Sequence, residues 1–169
     1  MHPHIVLTMC LIRQLPVLVT LLLVGCASSP TARLNTPHPN DQAAVEHRIN
    51  EIFDAAEKKD MPRLDSYHFY GPKFTKFAPE APGRMDAGAA RQGEHVGLSQ
   101  LDELMMRADG LKVDVFGDTA IATFVMTYSF KLRDDTIRKQ AFATLVFVKV
   151  GREWKITHEH FSQAKSNPS

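Results

Sequence analysis

Net charge is what this chain has least of. Its 20 Lys and Arg oppose 19 Asp and Glu, giving a formal charge of +1 at pH 7. That balance excludes the basic excess expected of a nucleic-acid binder or of a domain held to an anionic membrane surface. Cysteine is scarce as well, with Cys10 and Cys26 the two in 169 residues. No CxxC or HxxE spacing occurs from which a zinc site of three or four ligands would be built. The apolar run over residues 15–25, "LPVLVTLLLVG", is too short to cross a bilayer comfortably.

That run has instead the length of the apolar core of a secretory signal, and it ends at Cys26. The stretch "LVGC", Leu23 to Cys26, resembles the lipobox of bacterial lipoproteins. The resemblance implies removal of residues 1–25 as a signal peptide, lipidation of Cys26 and membrane attachment through the acyl groups. It also implies an envelope location, and Ala27 after the cysteine points to the outer membrane facing the periplasm. Met1 and Met9 both fit as the start, and Cys10 leaves with the signal in either case. An uncleaved anchor is the alternative. The mature chain then has no pair of cysteines for a disulfide and relies on one ordinary core.

Residues 26–40, rich in Ser, Thr, Pro and Asn after Cys26, read as a flexible tether. The domain is expected over residues 41–163, followed by a disordered tail, 164–169. From Asp41 to Lys59, Val45, Ile49, Ile52, Phe53 and Ala56 recur at helical spacing. "DMPRLDSY" predicts a second, short helix with Asp60 as N-cap and Pro62 in the first turn. Loops around one short strand near Phe74 to Phe77 follow, then a helix from Ala87 to about Met106. After Gly110, "LKVDVF", "TAIATFVMTYSFKL", "TIRKQAFATLVFVKV" and "REWKITHEHFS" read as four strands joined by short turns, an antiparallel meander. The middle strands are apolar on both faces, with Ile121, Val125, Leu145 and Phe147 expected on one and Phe124, Met126, Phe142 and Val146 on the other. Helices would cover one face and a second subunit the other.

This order, closing with "W-x-x-x-H-x-H-x-S", resembles the nuclear transport factor 2-like superfamily. Its members include ketosteroid isomerase, SnoaL-like cyclases and the association domain of calcium/calmodulin-dependent kinase II. The resemblance implies an α+β fold, a cone-shaped curved antiparallel sheet wrapped around amino-terminal helices, of the cystatin-like kind. It implies an internal cavity into which the closing strand sends Phe161 and, by period two, Glu159 and Thr157, with Val125 and Leu145 from neighbouring strands. Trp154, Ile156, His158 and His160 would face outward, towards a homodimer interface. Tyr67, His68 and Tyr70 would line the mouth.

Two chemistries follow for Glu159. Unpaired among apolar neighbours, it would have a raised pKa and act as general base or acid. Alternatively it is neutralised by a salt bridge to Arg91 or Arg84. The ketosteroid isomerase pattern is not met, because the first helix has no tyrosine and an apolar Leu145 stands near the place of the second aspartate. The leading expectation is an envelope lipoprotein binding a small, largely apolar molecule. Its alternatives are a cofactor-independent isomerase, cyclase or dehydratase using Glu159, and a protein-interaction module. No cofactor and no metal are expected.

Overall fold

The computed structural model describes residues 31, 34–133 and 135–164. Cys26 and the expected signal therefore lie outside the described residues, as do residues 165–169. Among the described residues no helix is long and apolar enough to cross a membrane.

Helix α1 runs from Pro39 to Glu57 and buries Val45, Ile49, Ile52, Phe53, Ala55 and Ala56. Pro39 opens it, where the proline costs no intrahelical bond. Helix α2, Met61–Ser66, is capped by the Asp60 side chain, which accepts from the Arg63 N–H at 3.2 Å. Strand β1, Thr75–Phe77, and helix α3, Ala87–Ser99, precede the meander. Asp86 caps α3 by accepting from the Ala89 N–H at 2.9 Å.

Strands β2 (Asp102–Phe116), β3 (Thr119–Leu132), β4 (Asp135–Val150) and β5 (Glu153–Gln163) form one sheet with β1, in the order β1-β5-β4-β3-β2. The meander is antiparallel, and β1 joins β5 in parallel. Gly117 and Gly151, at φ +63° and +64°, begin the tight turns between β2 and β3 and between β4 and β5, as two-residue hairpins require.

The third helix ends at Ser99, short of the expected Met106. The residues Leu101, Leu104 and Met105 suit a helical count, but from 102 onward the chain alternates: Leu104 is buried and Met105 exposed. Gly110, expected to precede the first long strand, lies inside β2 at a register shift between Asp109 and Lys112. It marks a bulge that curves the sheet.

The register places two sets of side chains on faces other than those expected. Cross-strand partners share a face in antiparallel pairs, and the register joins Phe124 to Ala143 and Ala122 to Leu145, all buried. Val125 instead opposes Phe142, which is 56% exposed, so Val125 belongs to the outer face and not to the cavity. Phe124 and Met126 share the inner face with Leu145 and Phe147.

In β5 a bulge reverses the expected faces of Trp154 and Ile156. Pairing passes from Val146↔His158 to Phe147↔Ile156, leaving Thr157 as an extra residue. Before this bulge Trp154 and Ile156 point inward, and both are buried in the core with Val45, Ile49 and Phe147. After it Glu159 points inward. Trp154 therefore stabilises the core and does not belong to an outer dimer face. His158 and His160 do lie outside, beside Phe77 of β1, and His158 Nδ1 is 2.8 Å from Thr75 Oγ1. Residue 164 is also still tied down, with the Ala164 N–H donating to Gln140 O.

Candidate functional site

Between the inner face of the sheet and the helices lies a cavity of about 570 Å³. Its walls are mostly apolar, among them Phe53, Leu98, Phe124, Met126, Leu145 and Phe161. One wall breaks the pattern: His68, Lys76, Glu94 and Glu159 line it together.

Each of the four is positioned by backbone. Lys76 is paired with Glu159 across β1 and β5, and its backbone exchanges two hydrogen bonds with Met85. The segment after α2 adds to β5 at the bulge, with the Phe69 N–H donating to Ile156 O and the Ile156 N–H to Tyr67 O. That docking sets His68 beside Glu159. Glu94 projects from α3.

The four side chains are joined by ion pairs and hydrogen bonds. Glu159 Oε2 lies 2.8 Å from Lys76 Nζ and Oε1 lies 3.4 Å from His68 Nε2. Lys76 Nζ also donates to Glu94 Oε1, and Glu94 Oε2 accepts from the Tyr70 hydroxyl at 3.0 Å. His68 Nδ1 stands 3.0 Å from Leu64 O. A carbonyl only accepts, so Nδ1 carries a proton and donates. Tyr70 stacks on the His68 ring at 4.8 Å, and Lys76 sits 5.2 Å from the Phe161 ring centroid.

The electrostatics follow from these contacts. Burial by itself raises the Glu159 carboxyl, but Lys76 and His68 hold it below the usual carboxylate range. Burial also opposes a charge on His68, yet the hydrogen bond and charge of Glu159, with Glu94 behind them, leave its pKa above the ordinary value. For Glu94 burial comes first and the Glu159 charge adds to it, so its pKa rises despite Lys76 and His68. Lys76 is held protonated against its burial by the two carboxylates. Burial and then Glu94 keep Tyr70 a neutral phenol.

The expected salt bridge of Glu159 is thus present with different partners. Arg91 binds Asp65 instead. The carboxyl with a raised pKa is Glu94. Of the other expected ligand contacts, Leu145 and Phe161 line the cavity, whereas Thr157, Val125 and Tyr67 do not. Tyr67 is buried in the core, its hydroxyl accepting from Arg63 Nε and its ring under Arg48. Tyr70 does not line the cavity either, but its hydroxyl donates to Glu94, which does.

His68, Glu94 and Glu159 offer three donor atoms within 4.8 Å of one another. The Lys76 ammonium already bridges both carboxylates, and a divalent ion would have to displace it; the donor set fits a lysine better than a metal. Lys76 and Glu94 were missed from sequence. Their signal was a charge on an apolar stripe: Glu94 falls in line with Ala90 and Leu98.

The SnoaL-like domain family model matches residues 45–166. No curated protein matches the chain. Among solved structures, a candidate dehydratase of the nuclear transport factor 2-like family from Streptomyces avermitilis is 19% identical, over 75% of this chain and 98% of that one, with a TM-score of 0.69. A candidate scytalone dehydratase from Novosphingobium aromaticivorans is 11% identical over 75% and 85%, with a TM-score of 0.64. The kinase II hub of S. rosetta is 23% identical over 76% and 99%, with a TM-score of 0.60. At these identities the likeness is one of fold.

Proposed function

From the membership of this chain in the SnoaL-like domain family, we propose that the cone binds a small, largely apolar molecule and transfers a proton within it, as an isomerase or dehydratase. The observation that carries this reading is the placement of two acids and two bases on one wall of an otherwise apolar cavity. Burying such groups costs several kcal/mol per ion before pairing, and an apolar core of the same volume would spare that cost. Lys76 and Glu94 are the more accessible pair, their side chains 11% and 14% exposed against 1% and 5% for His68 and Glu159. A carbonyl or hydroxyl oxygen of the ligand meets Lys76 and Glu94 first, with Glu159 and His68 behind them. In a dehydration one group takes the proton from carbon, and the departing hydroxyl receives a proton and leaves as water. In an isomerisation the proton returns to another carbon. The similarity in fold to two candidate dehydratases is in keeping with this chemistry.

The test is a thermal-shift screen of small carbonyl and hydroxy compounds, followed by turnover of those that bind. Leu145 stands opposite Glu159 in the register, so Leu145→Trp fills the space before the cluster. It is expected to weaken binding at least tenfold while overpacking costs about 1–3 kcal/mol of stability. Unchanged affinity would place the ligand elsewhere.

The lipobox-like "LVGC" supports the further proposal of a lipid anchor on Cys26 in the cell envelope. Cys26→Ala is expected to move the protein from the membrane to the soluble fraction. Continued sedimentation with membranes would refute the anchor.

A further inference from the structure

Helix α3 turns Ala90, Gly93, Glu94, Gly97 and Leu98 to the cavity. The stripe is packed at Ala90, which is fully buried in the core, and at Leu98, which is partly buried against it; between them Gly93, Glu94 and Gly97 face the cavity, so the apolar contact that ordinarily fixes a helix is thin here. Ala90 is the one buried residue of α3, and Gly93 and Gly97 bring no side chain.

Polar contacts supply much of what holds it. Asp65 of α2 accepts on Oδ2 from Arg91, at 2.8 Å from Nε and 2.7 Å from Nη2, and its Oδ1 lies 2.9 Å from His95 Nε2. Arg91 and His95 flank Glu94 on α3, and Asp65 precedes His68 by three residues. One carboxylate thus ties the helix carrying Glu94 to the segment carrying His68. Lys76, Tyr70 and His68 add polar ties to Glu94 itself, and Ala87, Ala90 and Leu98 add apolar contact.

We propose that α3 is a lid over the cavity, latched by Asp65 to Arg91 and His95, and that Asp65 is a positioning residue that sets Glu94 into the Lys76–Glu159 cluster. The functional half of this rests on the reading of the cavity as a ligand site. Lifting α3 withdraws Glu94 from Lys76 and Tyr70 in the same movement, so an open cavity has an incomplete cluster and a closed one has all four groups in place. Access and chemistry alternate.

The test uses the intact protein, with amide hydrogen exchange over residues 87–99 and stopped-flow entry of the neutral fluorophore N-phenyl-1-naphthylamine. Asp65→Ala and, from the other side of the latch, Arg91→Gln with His95→Gln are each expected to speed exchange in α3 about fivefold or more, with β3 and β4 unchanged. The dye should enter faster by a similar factor, and Asp65→Glu should restore part of the protection. Unchanged exchange in α3, or exchange rising equally in the strands, would overturn the lid. If the dye binds neither wild type nor variant, the ligand site fails, and the exchange data still decide the lid.

Discussion

Lys76→Met is expected to lower stability by about 3–5 kcal/mol at neutral pH, the usual penalty for removing one partner of a buried ion pair. Methionine keeps much of the length and apolar stem of lysine, so the loss is one of charge. Glu159, 5% exposed, and Glu94 would then share His68 as their one close cation among the described residues. The pH dependence identifies the cause. In the wild type Glu159 is held below its ordinary pKa, so its contribution is present above the unfolded value near 4.5 and is lost as pH falls through the lower folded value. Lys76 is held above its ordinary value, and its contribution persists up to high pH. Without Lys76 the pull on Glu159 is gone and burial raises the carboxyl, so the folded variant takes up a proton more readily than the unfolded chain. The gap between wild type and variant in urea unfolding should therefore narrow from pH 7 to about pH 5. A gap under about 1 kcal/mol at pH 7 would mean that the cluster is not bound together by Lys76.

The elements were legible because their signals are local. The 3.6-residue spacing of Val45, Ile49 and Phe53, the Asp60 cap and the two glycine turns each act within a few residues, and the helices and hairpins follow from them. Inward placement of Glu159 and Phe161 was legible through the family resemblance. What could not be read is what depends on register. Thr157 inserts one residue into β5, and period-two counting across it sends Trp154 and Ile156 to the wrong face. On β3 the alternation itself held, but the resemblance joined Val125 to Leu145 on the inner face, and because both faces of that strand are apolar the alternation carries no sign to correct it. Lys76 meets Glu159 through a parallel pairing of a three-residue strand to the end of the chain, and Glu94 arrives from a helix. No single segment encodes that convergence, although a lone acid on an apolar stripe marks one half of it.

Glu159→Gln is expected to change two measurable quantities together. The first is the charge on His68. Burial disfavours the imidazolium, and Glu159 is the strongest group that offsets it; with a neutral amide in its place, burial prevails and the His68 pKa falls below its wild-type value. In the wild type a raised histidine pKa gives stability that is fully present below the unfolded value of about 6.5 and is lost as pH rises through the folded one. The variant should lack that loss, and ring-proton NMR should find His68 neutral near pH 7. The second quantity is turnover of any compound that the cavity accepts, expected to fall by about 10²–10⁴, the range for a misplaced acid–base group, with binding retained because the cavity walls are intact. Glu94→Gln separates the roles. It removes the carboxyl with the raised pKa but leaves Glu159 on His68, so turnover should fall with the His68 pKa still above its ordinary value. If Glu159→Gln shifted His68 and left turnover whole, Glu159 would be a structural counter-ion, and the proton chemistry would belong to Glu94 and Lys76 alone.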